Sequence, residues 1–191
     1  MDRTSAEALV DSVLAATSAA HERARQNAGP VIAAADATLR CLRAGGKVLL
    51  FGNGGSAADA QHVAAEFVGR FMRERRAVAA IALTTDTSIV TSIGNDYSFD
   101  RVFARQIEAL GRKGDVAIAI STSGASPNVL AGVEAANAAG LTTIGVTGKD
   151  GGALGKAVSI HVNVPEQDTA RIQEVHRTLL HIVCELVERE L

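Results

Sequence analysis

Tryptophan is absent from this 191-residue sequence, and aromatic residues make up only 3% of it. Surfaces that stack nucleobases need aromatic platforms, so single-strand nucleic-acid binding of that kind is excluded. A basic excess is missing too. The formal net charge is -2, whereas a protein that coats nucleic acid needs a positive surface. Only two cysteines occur, Cys41 and Cys184, in apolar helix-like patterns and outside any CxxC motif. They read as buried thiols of a reducing cytosol. No apolar run is long enough to cross a bilayer. The first residues, "MDRTSAEALVDSVLAATSAAHERARQ", are polar and amphipathic, without the apolar core of a signal peptide. The expectation is a cytoplasmic protein with neither membrane nor nucleic acid as a partner.

Hydrophobic residues reach 47% and charged residues 21%, ordinary values for a globular chain. The length suits one domain with a substantial core. Apolar runs at 47–51, 77–83, 115–120, 142–147 and 159–164 read as strands. They are near-continuously apolar rather than alternating, the pattern of parallel strands buried on both faces. Helical patterns fill most of the gaps, the signature of βαβ units. Two helices are expected before the first strand, around 4–27 and 30–43, and a long one from about Asp168 to the end. Ser126-Pro127 and Gly140 frame another, with a cap, a proline at the first helical position and a terminating glycine. The predicted fold class is α/β, three layers around a five-stranded parallel sheet. It is read as one domain over 1–191, with a helical extension at about 1–44. Leu9, Val13 and Leu14 of the first helix need a cover, and a second subunit would provide one.

"GNGGSAADA" follows the first strand directly. Glycines let the backbone turn sharply beside a ligand. The next helix then points free N–H groups and its positive dipole end at that ligand, so the guest is an anion. Gly52, Gly54 and Ala57 nominally fit a dinucleotide fingerprint, but no acidic residue ends the second strand as that site requires. No nucleotide cofactor is therefore expected. A second loop, "STSGASPN", offers Ser121, Thr122, Ser123 and Ser126 at another helix start. One serine suffices for a cap; four hydroxyls in six residues favour a phosphate ligand. Both loops lie at carboxyl ends of strands, where open α/β sheets bind ligands.

His62 and Glu66 lie four apart on the helix after the glycine loop, so they share a face one turn apart. The last helix has an apolar stripe of Ile172, Val175, Leu179, Ile182, Val183 and Leu186. Gln173, His176 and His181 interrupt or flank it. Histidines on such a face are commonly hydrogen-bonded core. By spacing alone, His176 pairs with Gln173 better than His181 does, because eight residues of helix span about 12 Å.

Taken in order, "GNGGSAADAQHVAAEF", "TSIGNDYSFDRVFARQ", "STSGASPNVL", "GVTGKDGG" and "VPEQDTARIQEVHRTLLHIV" resemble the phosphoheptose isomerases of the sugar isomerase (SIS) domain superfamily, over essentially the whole chain. The resemblance implies a flavodoxin-like five-stranded parallel sheet and a homotetramer with active sites at subunit interfaces. It implies conversion of sedoheptulose 7-phosphate to D-glycero-D-manno-heptose 7-phosphate, the first step towards nucleotide-activated heptose. It maps zinc ligands, for one ion per subunit, onto His62, Glu66, Gln173 and His181. It maps substrate contacts onto Asn53, Gly54, Gly55, Glu66, Asn95, Asp96, Ser121, Thr122, Ser123, Ser126 and Gln173, and Ser56 of the glycine loop joins this set. Aldose–ketose isomerisation moves a proton between C1 and C2. Glu66 is the expected base and His181 the expected acid or shuttle. Two alternatives stand beside this reading: a non-catalytic SIS protein that binds sugar phosphate or a replication initiator, and an isomerase of another sugar phosphate.

Overall fold

A computed structural model describes all of residues 1–191. Its centre is a parallel sheet of β1 (Val48–Gly52), β2 (Ala80–Ala82), β3 (Val116–Ser121), β4 (Thr142–Gly148) and β5 (Ile160–Val164), in the order β2-β1-β3-β4-β5. This is the flavodoxin-like order, whose switch point falls between β1 and β3. Successive residues of a strand point to opposite faces. Val48, Leu50, Val116, Ile118 and Ile120 thus face one layer, and Leu49, Phe51, Ala117 and Ala119 the other.

The first layer holds α1 (Arg3–Arg23), α2 (Ala28–Arg43), α3 (Gly55–Val68) and the long α8 (Thr169–Glu190). The second holds α4 (Thr87–Asp96), α5 (Val102–Leu110), α6 (Pro127–Ala138) and α7 (Gly152–Ala157). No helix is long and apolar enough to cross a membrane.

The expected first helix, 4–27, ends early. A 3₁₀ turn at Ala24–Asn27 separates α1 from α2, and buried Asn27 there accepts the Asn163 N–H through its Oδ1 at 3.2 Å. Pro30 sits in the first turn of α2, where its missing N–H costs no intrahelical bond. The expected strand at 77–83 contracts to 80–82. It is an edge strand, paired only with β1, and Ile81 is exposed rather than buried. On α8, Ile172, Val175, Leu179 and Val183 are buried as expected, but Ile182 is exposed. The exposed side of α1 carries Leu9, Val10, Val13 and Leu14.

Candidate active site

The site grows from the carboxyl ends of β1 and β3, which are hydrogen-bonded neighbours. After β1 the chain turns at Gly54, whose φ of 54° and ψ of -120° suit glycine alone. A Cβ on Gly55 would fall 2.5 Å from Gln173 Nε2. Glycine at 55 is what lets the α8 side chain lie against the start of α3. Ser56 is buried behind the turn. Asn53 and Asn128 exchange two side-chain amide hydrogen bonds, each 2.8 Å long. This pair ties the glycine loop to the first turn of α6 and so fixes the two loops against each other.

In the serine loop, Ser126 occupies the cap position of α6 but makes no capping bond with its side chain. Its Oγ lies 3.2 Å from Ser121 Oγ instead. Ser123 Oγ accepts the Ala125 N–H at 3.2 Å, and Thr122 is half-buried. Helix capping therefore does not account for these hydroxyls. Together with the N–H groups at the start of α6 they form a cradle suited to an anion.

A second cluster lies along the seam where α3 and α8 run side by side in the same direction. Gly55 meets Gln173. Asp59 Oδ1 accepts Arg177 Nε at 2.9 Å and a terminal guanidinium nitrogen at 2.6 Å. His62 Nε2 lies 2.7 Å from His181 Nε2 and 3.4 Å from Glu66 Oε1. Residues 55, 59, 62 and 66 fall within an arc of about 60° on α3, and 173, 177 and 181 within about 80° on α8. A cleft of about 590 Å³ opens over this seam, lined by Gly55, Asp59, Gln173, Arg177 and His181, with Thr17 and His21 of α1 on its rim. Burial pushes the His181 imidazole below its ordinary pKa, and repulsion from His62 adds to this.

One nitrogen from each of His62 and His181 and a Glu66 carboxylate oxygen all lie within 4.8 Å of one another. Two imidazoles and a carboxylate are a donor set that suits a divalent transition metal. Metal–nitrogen bonds of about 2.0–2.1 Å in a tetrahedron separate two nitrogens by roughly 3.3 Å. The two Nε2 atoms, 2.7 Å apart, need to part by only about 0.6 Å to accept such an ion.

The remaining sequence candidates lie elsewhere. His176 is not on the seam: it is fully buried, and its Nε2 donates to the Thr147 carbonyl at 2.8 Å. The spacing argument that paired it with Gln173 fails because position 176 falls on the sheet-facing side of α8. Asn95 and Asp96 form the exposed end of α4, a helix with no buried residue, and Asn95 Nδ2 donates to Asp96 Oδ1 at 2.8 Å. Asp96 lines a separate groove of about 310 Å³ between α4 and α5, and no hydrogen bond joins either residue to the two loops. Sequence reasoning passed over Asp59, Arg177 and Asn128. Asp59 lies three residues before His62 and Arg177 midway between Gln173 and His181, so both share those helix faces; Asn128 had no such signal.

A SIS domain family model matches residues 13–148. A phosphoheptose isomerase of Roseiflexus sp. (strain RS-1) is 54% identical over 183 residues, 96% of this chain and 93% of the relative. The structure of a phosphoheptose isomerase from Neisseria gonorrhoeae superposes with a TM-score of 0.91 at 45% identity, covering 96% of this chain and 98% of that one. One from Francisella tularensis does so with a TM-score of 0.92 at 37% identity, covering 96% and 98%. Sheet order, paired loops and these matches define a SIS-domain protein. Within that class, the chain belongs to the phosphoheptose isomerase family.

Proposed function

We propose that the chain converts sedoheptulose 7-phosphate to D-glycero-D-manno-heptose 7-phosphate by proton transfer through an enediol(ate), the first step towards nucleotide-activated heptose. Family membership supports the class of reaction. The observation that carries the site assignment is the meeting of His62, Glu66 and His181 at one end of a seam whose other end adjoins the glycine and serine loops. From Gly55 to His62 the helix rises by about 10 Å. An extended seven-carbon sugar phosphate spans a similar length, so its phosphate and its C1–C2 end can engage both ends of the seam together.

Ser121, Thr122, Ser123 and Ser126 take the phosphate, with Asn53, Gly54, Gly55 and Ser56 forming the adjoining wall. Glu66 removes a proton from C1 of the ketose while His181 gives one to O2, leaving the enediol. Glu66 returns the proton to C2 and His181 takes the proton from O1, which completes the aldose and restores both residues. His62, Glu66, Gln173 and His181 would hold one zinc ion per subunit, and when bound there zinc supplies positive charge to the enediolate oxygens. The convergence of His62, Glu66 and His181 supports this ligand set, and Gln173 reaches the same cleft from the opposite end. A non-catalytic binding protein would have no need of Glu66 and His181 side by side.

The assembly we infer is a homotetramer in the cytoplasm. Exposed apolar side chains on α1, and Ile89, Tyr97 and Phe99 on and after α4, support burial against further copies. Such packing would bring Asn95 and Asp96 of one copy to the sugar hydroxyls held by another. Two free, buried thiols suit a reducing compartment.

Turnover of five-, six- and seven-carbon ketose phosphates by the purified protein tests the assignment. The seven-carbon substrate should have the highest kcat/KM. A higher value for a shorter ketose would reassign the substrate.

A further inference from the structure

Beyond His62 and Glu66, the chain leaves α3 through a turn built around a single buried carboxylate. Glu188, on the last turns of α8, is almost wholly buried. Its Oε1 accepts the Phe71 N–H at 2.8 Å, and its Oε2 accepts the N–H groups of Met72 and Arg73 at 2.7 and 2.8 Å. Three successive backbone donors thus converge on one side chain. Burial alone would raise the Glu188 carboxyl pKa; the three N–H donors and the Arg75 charge outweigh it and hold the group below the usual carboxylate range.

Arg75 completes the turn. Its Nε faces Glu188 Oε1 at 3.5 Å. One terminal nitrogen donates to the Glu66 carbonyl at 2.6 Å, and the other to the carbonyls of Gly69 and Arg76 at 2.9 and 3.0 Å. The Glu66 and Gly69 carbonyls are among those that the end of α3 leaves without helical partners. The same turn lays the Phe71 ring against His181, with centroids 5.2 Å apart and planes inclined by 37°. Position 188 lies in the same arc of α8 as Arg177 and His181.

We propose that Glu188 is a positioning residue for the isomerase site. It fixes the turn that holds Phe71 on the His181 ring and, through Arg75, the backbone of Glu66. The ion pair locks the register of α3 against α8, and that register is what brings His62, Glu66 and His181 together. The stored order is functional as well as structural, because two contacts of the turn, Arg75 on the Glu66 carbonyl and Phe71 on the His181 ring, end on the two residues assigned to proton transfer. The proposal rests on that assignment.

Two variants and a control test it. Glu188→Gln keeps the shape but removes the charge and turns an amide N–H towards a backbone donor. Phe71→Leu keeps the carboxylate turn and removes the ring. Both should lower kcat by about tenfold or more with KM little changed, since small misplacements of reacting groups carry costs of this size. In Glu188→Gln the His181 imidazole protons should also lose the ring-current shift from Phe71. Phe71→Leu should retain nearly native thermal stability. A folded Glu188→Gln protein with native kcat, or with unchanged His181 resonances, would overturn the proposal. If Glu188→Gln does not fold, Phe71→Leu decides, and native kcat there would overturn it. His181→Ala separates the two layers of inference. If that variant is active, the proton-transfer assignment fails and the positioning role falls with it. If it is inactive while the other two turn over normally, only the positioning role fails.

Discussion

Two histidines five residues apart on α8 live in different chemical worlds. His176 faces the sheet, fully buried, and donates to a β4 carbonyl. Burial lowers its pKa and keeps the ring neutral. His181 faces α3, shares a short contact with His62, and lines an open cleft. About 140° of helix rotation separates the two positions. One helix thus presents an apolar, buried stripe to the sheet and a polar stripe to its neighbour, the one proposed to carry the chemistry. Residue type does not distinguish the two histidines; rotational phase does. Ile172, Val175, His176, Leu179 and Val183 share the first phase. Gln173, Arg177, His181 and Glu188 share the second.

The sharpest way to break this contrast is to remove each ring in turn. His181→Ala should cost about 10²–10⁴-fold in turnover, the usual contribution of a general acid or base. It should also lower metal content after zinc loading while leaving the fold intact. His176→Ala should keep metal and active-site chemistry but lose about 1–3 kcal/mol of stability through the unpaired Thr147 carbonyl. Metal analysis, kinetics and urea unfolding on both variants check the pair. The opposite pattern would mean that the wrong stripe has been read as chemical.

A second contrast sets the serine loop against the seam. Ser121→Ala combined with Ser123→Ala should weaken sugar-phosphate binding by about 2–4 kcal/mol, since charge-assisted hydrogen bonds are lost. Binding of the dephosphorylated sugar should be weak and unchanged by the substitutions. Calorimetry with both ligands checks this. Equal affinity of the unsubstituted protein for the two sugars would reduce the loop to a helix start.

The smallest expected effect is on pH dependence. A histidine whose folded pKa lies below its unfolded value of 6.5 leaves the unfolded chain holding more protons in the window between the two. Stability from His176 is therefore complete above pH 6.5 and declines as pH falls through that window. His176→Gln, whose amide can still donate to Thr147, should flatten this decline in unfolding curves recorded from pH 7.5 downwards. An unchanged slope would show that other groups dominate.

Much of this was legible in the sequence, for reasons that also mark its limits. β1, β3, β4 and β5 lie within a residue of their expected bounds because buried parallel strands are apolar runs between turn signals. β2 was overextended, since an apolar run does not say how much of it a neighbour will pair with at an edge. His62 with Glu66 was readable as a helix-face pair because both belong to one element. The contact between His62 and His181, 119 positions apart, depends on how two helices align. No local periodicity encodes that alignment, and spacing alone pointed to His176. The carboxylate turn at Glu188 was unreadable for the same reason. The role of the serine loop was half-readable: composition gave the excess of hydroxyls, and only the structure shows that Ser126 leaves its cap unmade.

The central claim is that the α3 side of the seam supplies the base for an enediol isomerisation. It is tested most directly by turnover and substrate binding of Glu66→Gln, with sedoheptulose 7-phosphate as the ligand. A base acts in the transition state, so the account predicts loss of detectable turnover with affinity retained within about tenfold. Near-native turnover by that variant would contradict it.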